Sequence, residues 1–160
     1  MVAQTNSEYL GWDFKWSPNG KYLAAGAFNA SIGTPVESYG KVYIYKTDDF
    51  KSVNPLPIVL SVKDSDGFGI SVDWNKNSTR LAVGSTYDDN GLNSLGSVYI
   101  YDTNKIDQTM TPIQKIVMTG KIVNSGFGFG RGLRWHPSGR FLVANAYANN
   151  NNSGSLFILH

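Results

Sequence analysis

One sequence pattern, written three times, constrains the fold more than any other feature of this chain. Gly11-Trp12-Asp13-Phe14-Lys15-Trp16 aligns with Gly69-Ile70-Ser71-Val72-Asp73-Trp74 and with Gly130-Arg131-Gly132-Leu133-Arg134-Trp135. Lys21-Tyr22-Leu23-Ala24-Ala25-Gly26 aligns with residues 80–84 and 140–145, and Gly40-Lys41-Val42-Tyr43-Ile44-Tyr45 with residues 96–101 and 154–159. The tryptophans closing the first segments, Trp16, Trp74 and Trp135, stand 58 and then 61 residues apart. Repetition on this scale marks supersecondary units stacked in an array, none able to bury a core alone.

Within each unit the local signals are those of strands. Trp12, Phe14 and Trp16 alternate with Asp13 and Lys15, the period-2 pattern of a strand with unlike faces. Ser17-Pro18-Asn19-Gly20 reads as a turn, because proline presets φ and Asn-Gly accepts positive φ at little cost. Residues 22–28 read as a second strand, with small side chains that permit another sheet to approach closely. Residues 29–39 read as a loop, 41–45 as a tyrosine-rich, β-branched third strand, and 58–62 as a fourth. The second unit repeats the order at 70–74, 81–86, 97–102 and 113–118. The third gives 132–135, 141–147 and 156–159, without a fourth strand. Ahead of the first unit, only residues 2–5 form a candidate strand. No segment carries a helical stripe. The expected fold is a single all-β domain of three four-stranded antiparallel repeats, approximately 11–66, 67–125 and 126–160, the last lacking its outer strand.

Composition narrows the partners. Charged residues make up only 16% of the chain, against about 25% in ordinary soluble domains. The net charge of +2 is small and scattered, unlike the clustered basic footprint of a nucleic-acid binder. The absence of cysteine excludes disulfides and thiolate metal sites. The first residues lack the basic and apolar regions of a secretory signal. No apolar run approaches the roughly 20 residues of a membrane helix. Neither nucleic acid nor membrane is expected as a partner, and no cofactor is implied.

A four-stranded unit at this spacing, with tryptophan ending its first strand and a Pro/Gly turn following, describes a β-propeller blade. Trp16-Ser17-Pro18-Asn19-Gly20-Lys21-Tyr22-Leu23-Ala24 and Trp135-His136-Pro137-Ser138-Gly139-Arg140-Phe141-Leu142 resemble the first-turn motif of WD-repeat-like propellers. Gly67-Phe68-Gly69 and Gly96-Ser97-Val98-Tyr99-Ile100-Tyr101 resemble FG-GAP blades of the integrin-α kind. The resemblance spans nearly the whole chain. It is similar to blades of marine bacterial and viral repeat proteins, which implies a virion or extracellular surface setting and an adhesin-like or structural role. It says little about the ligand, since propellers host many activities.

FG-GAP blades often carry a calcium loop of the D-x-N-x-D-G type. Asp73, Asn75 and Asn77 come nearest, but Lys76 sits among them, Ser78 replaces the glycine, and no second carboxylate follows. That loop is expected to hold no metal, and Asp88-Asp89-Asn90 is expected to be a solvated turn. His136 takes the turn position of Ser17, and His160 is a strand end. No Ser/His/Asp spacing implies a nucleophile. Neither Gly67-Phe68-Gly69 nor Gly126-Phe127-Gly128-Phe129-Gly130 opens a helix that could receive a phosphate. These glycines fit tight backbone approach instead, and no enzyme is expected. Lys15, Asp73 and Arg134 share one repeat position and are expected to form an ion chain near the propeller axis. Trp12, Trp16, Trp74 and Trp135 are expected in the core between blades.

The candidate binding surface is the set of loops between second and third strands, which gathers Phe28, Tyr39, Tyr87, Asp88, Asp89, Tyr147, Asn149 and Asn150. Aromatic planes beside amides and carboxylates suit glycans, and the competing reading is that these are only soluble turns. The leading expectation is a non-enzymatic binding or structural module for protein assembly or receptor attachment. A glycan-binding lectin is one alternative, and a calcium-dependent adhesin or degenerate enzyme another. Three blades fall short of the roughly four to eight that close a propeller, so the end faces need a partner. That partner is either a second copy in a head-to-tail, six-bladed dimer, with residues 2–5 completing the neighbour's third blade, or other assembly proteins.

Overall fold

The alternating runs of the sequence become strands that zip into hairpins behind each tryptophan turn. In the computed structural model, residues 8–32, 38–52, 55–63, 66–88, 96–117, 128–146 and 154–160 are described. Strands β1 (Phe14–Trp16), β2 (Tyr22–Ile32), β3 (Ser38–Lys46) and β4 (Ile58–Leu60) form the first antiparallel blade. Strands β5 (Phe68–Trp74), β6 (Arg80–Ser85), β7 (Ser97–Asp102) and β8 (Pro112–Val117) form the second. Strands β9 (Phe129–Trp135), β10 (Leu142–Ala146) and β11 (Ser155–Leu159) form the third. The fold is all-β, three propeller-type blades, the last with three strands among the described residues. A 3-10 turn at Thr47–Lys51 breaks the polar connection after β3. Among the described residues no helix is long and apolar enough to cross a membrane.

Several strand boundaries differ from the sequence reading, and two of the differences have a local reason. The β2–β3 hairpin extends through much of the expected loop at 29–39, because buried Ala30 continues the inward alternation. Strand β1 is only three residues long, because Gly11 at φ +88° turns the chain just before it. The candidate strand at residues 2–5 lies outside the described residues.

The turns show why each repeat folds locally. Ser17 and Asn19 hold the first: the Ser17 hydroxyl donates to Asn19 Oδ1 and accepts the Tyr22 N–H. In the second, Asn75 Oδ1 accepts the N–H groups of Thr79 and Arg80. Gly20 and Gly139 supply the positive φ that these turns need, at 70° and 74°. Ser78 adopts φ 58° at the same position in the second turn. Its hydroxyl accepts the Asn19 N–H of the first blade at 3.0 Å, which favours serine despite the strained backbone.

The blades stack face to face. Ala24, Val42, Ile44 and Leu60 of the first pack on Phe68, Val72 and Trp74 of the second. Ala82, Val98 and Ile100 of the second pack on Phe129, Leu133 and Leu142 of the third. A parallel bridge from Gly40 to Phe68 is the backbone pairing that joins the first two blades. Two glycines set the separation. A Cβ added to Gly26 would lie 1.8 Å from the Gly69 carbonyl oxygen, and one on Gly84 would lie 1.8 Å from that of Gly130. Neither glycine has a positive φ, so the requirement is room alone.

Replacing Gly26 or Gly84 by alanine should therefore cost at least about 1–3 kcal/mol, as overpacking does. Gly132→Ala places its methyl 3.3 Å from the far end of the Asn145 side chain, not from backbone, and should stay within about 1 kcal/mol. Urea-denaturation midpoints of the three variants test this ordering.

Candidate interaction site on the blade faces

The repeat fixes equivalent residues, so burial at each position reports whether a neighbouring blade is present. Val72 and Leu133 are fully buried against the preceding blade, but their equivalent Phe14 is 57% exposed. Trp74 is buried and its indole N–H donates to the Lys15 carbonyl at 3.1 Å. Trp135 is half-buried, whereas Trp16 is 51% exposed and Trp12 also faces solvent. The expectation that all four tryptophans lie between blades is thus corrected for Trp12 and Trp16. Both sit on the leading face of the first blade, where no further blade covers them among the described residues. At the other end, Leu156 and Ile158 of β11 are 74% and 64% exposed, while their equivalents Val98 and Ile100 are buried.

The leading face also carries an aromatic cluster. Tyr9 stacks on Phe28 with ring centroids 5.5 Å apart, and Trp12 meets Phe28 edge-on at 4.9 Å. Trp16 packs edge-on against Phe50 at 5.5 Å. Phe28, read from the sequence as the end of the second strand on the loop face, is in β2 and half-buried beneath Tyr9 and Trp12.

The other loop candidates do not assemble into one described surface. Tyr39 lies in β3, paired with Ser31. Tyr87 is 40% exposed. Asp89, Tyr147, Asn149 and Asn150 lie outside the described residues. Asp88 corrects the expectation of a solvated turn, because it is completely buried. Its Oδ2 accepts the Tyr99 hydroxyl at 2.6 Å and faces Lys115 Nζ at 3.0 Å. The first blade builds the same device from different sequence: Tyr43, equivalent to Tyr99, donates to buried Glu8 at 3.1 Å, with Lys41 Nζ 3.8 Å away. Burial, then the Glu8 charge, pushes the Tyr43 hydroxyl well above its ordinary pKa, and burial does the same to Tyr101. Sequence reasoning missed Glu8. The only available signal was a carboxylate just ahead of the first repeat.

Asp73, Asn75 and Asn77 do not converge as ligands, since Asn75 is committed to its turn and Asp73 Oδ2 accepts the Trp135 N–H at 2.6 Å. Burial raises the Asp73 pKa, opposed by that bond and by the charges of Arg134 and Lys15. The two cations therefore act on Asp73 through space, while its direct partner is backbone. Among the described residues no three His, Asp or Glu side chains group as a metal site. His136 holds its turn, accepting the Ser138 N–H at Nδ1. A cleft of about 190 Å³ lies at the outer junction of the second and third blades, lined by Ile113, Ile116, Trp135, Leu142 and Leu159. It is smaller than the roughly 300–1,000 Å³ of ligand pockets.

Blade architecture and exposed interblade faces define a propeller-type binding or structural module. The FG-GAP repeat family matches residues 62–101, which contain β5 to most of β7. Among solved structures, the chain is similar to a eukaryotic initiation factor, at 13% identity and TM-score 0.57, covering 99% of this chain and 31% of that one. It is also similar to a candidate 6-phosphogluconolactonase of Bacteroides uniformis, at 18% identity and TM-score 0.50, covering 91% of this chain and 38% of that one. Both likenesses show the fold alone, and the chain spans about a third of each protein's length. No curated protein matches the sequence.

Two outcomes follow from the buried tyrosine–carboxylate pairs. Asp88→Ala should cost about 2 kcal/mol or more, because it strands a buried hydroxyl and its cation. Asp102→Ala, which removes the exposed Arg80 pair and the exposed bonds from Asn104, should cost less than about 1 kcal/mol by thermal denaturation. The raised tyrosine pKa values set the alkaline limit. Their contribution is complete below the ordinary value of 10.0 and is lost as pH climbs from there toward the folded values. Tyrosinate absorbance should accordingly rise late and together with unfolding, and full early ionisation would contradict the burial.

Proposed function

We propose that this protein is a non-enzymatic assembly module, part of a surface or virion-associated structure, that binds other proteins through its uncovered blade faces. The observation that carries the reading is the exposure of Phe14 where Val72 and Leu133 are buried. A contiguous apolar face with Trp12 and Trp16 beside it is the composition of an interaction core, in which aromatic anchors dominate binding energy. The FG-GAP match supports a binding or structural role.

A glycan-binding role is the second reading, favoured by the Tyr9–Trp12–Phe28 platform, whose exposed rings can stack on a sugar face. The platform belongs to the first blade alone, since Ile70 and Arg131 replace Trp12 in the others. Any sugar site would be single, not one per blade.

Site-specific photo-cross-linking in the producing cell separates the readings. A cross-linker at position 14 should capture protein, and one at the still more exposed Leu56 should not. Equal capture at both positions, or none at 14, would remove the assembly reading. Glycan-array binding that disappears in Trp12→Ala would establish the second reading.

A further inference from the structure

Both blade junctions are built from the same parts. The arriving blade presents the carbonyl of a positive-φ glycine, Gly69 in one junction and Gly130 in the other. The receiving blade offers a glycine ten residues past its tryptophan, Gly26 or Gly84, over which that carbonyl lies. The receiving blade's first strand, or the residue just before it, adds polar side chains. Asp13 Oδ2 accepts the Val72 N–H at 3.0 Å. Ser71 donates its hydroxyl to the Gly130 carbonyl at 2.6 Å, and Asp73 accepts the Trp135 N–H.

The two ends of the array differ in these parts. The first blade keeps the arriving set complete: Gly11 holds φ +88°, beside +89° at Gly69 and +81° at Gly130, and a Cβ there would meet nothing within 4 Å. Phe14 and Trp16 stand where Val72 and Trp74 make their junction. The third blade has exchanged the receiving set. Asn145 takes the place of Gly26 and Gly84, Gly132 that of Asp13 and Ser71, and Arg134 that of Asp73. The side chain has moved from the first strand to the second, and Asn145 Oδ1 turns back to accept the Gly132 N–H at 2.6 Å. A blade arriving in the observed geometry would drive its glycine carbonyl into the Asn145 Cβ. It would also find no carboxylate on β9 (FGRGLRW) to accept its backbone N–H.

We infer that the face formed by Gly11, Trp12, Phe14 and Trp16 docks a β-blade of a partner protein. That blade carries glycine at the centre of its second strand and an aspartate or serine on its first. A second copy of this chain is not that partner, because the receiving face of its third blade carries Asn145. The inference rests on the assembly reading above and adds a direction to it, with the first blade as plug and the third closed to a blade arriving in the observed geometry. Continuity with the two existing junctions supplies the docking geometry.

The test converts this chain into its own surrogate partner. The probe is the full chain with Gly132→Asp and Asn145→Gly, which restore a receiving face, and with Phe14→Lys and Trp16→Ser, which disable its plug. Sedimentation velocity should show wild type and probe each as monomers and a one-to-one complex on mixing, with a blue shift of wild-type tryptophan emission. A control with only Phe14→Lys and Trp16→Ser should bind at least tenfold more weakly. Circular dichroism establishes that the probe is folded. If it is not, Asn145→Gly in the Phe14→Lys/Trp16→Ser background takes its place, with the same complex expected. A folded probe that does not bind, or a control that binds equally well, would overturn the inference. Wild type that self-associates and is dispersed by Phe14→Lys would overturn it too, while leaving the broader assembly reading standing. Loss of that broader reading would show instead as absent capture at position 14.

Discussion

The whole arrangement depends on one close approach, a backbone carbonyl of one blade lying against a glycine α-carbon of the one before. The separation it sets lets Val42 and Ile44 reach Val72 and Trp74, and Val98 and Ile100 reach Leu133. Side chains of this size fill the gap only if the sheets are at that spacing, and interiors tolerate neither voids nor excess. The polar bonds across the junction, from the Val72 N–H to Asp13 and from Ser71 to the Gly130 carbonyl, then satisfy backbone groups on the first strands of the arriving blades.

The chain also manages polar groups inside its blades. Tyr43 and Tyr99 are too large to be left with an unbonded hydroxyl in a closed interior. Each meets a buried carboxylate, and a lysine offsets the charge. A low overall charge makes these few interior ionic groups stand out, and they serve structure at the cost of desolvation.

Much of this was legible in the residues. The triple repeat located every blade, and the Pro/Gly turns and period-2 runs placed most strands within a few residues. Small residues in the second strand pointed to close sheet approach, which Gly26 and Gly84 realise. Burial was less legible. Trp16 and Trp74 are the same residue in the same local pattern, and only the neighbour decides which is covered. Asp88 looked like a loop carboxylate because nothing local reveals that Tyr99, eleven residues on, lies beneath it. The exchange at Asn145 was visible in the aligned repeats, but its meaning depends on an interblade distance that no sequence displays.

The blades are not equally supported. The middle one is clamped on both faces, and its strands β5, β6 and β7 are buried almost throughout. Among the described residues each outer blade has one neighbour, and β11 has a single strand partner. In a linear array, stability is close to a sum of unit and nearest-neighbour contributions. Opening should accordingly begin at the ends, with the third blade's outer hairpin first, while the middle blade keeps its amide protons longest. A docked neighbour on Trp12 and Trp16 would turn the first blade into a second middle one, so assembly would itself harden the fold from that side inward.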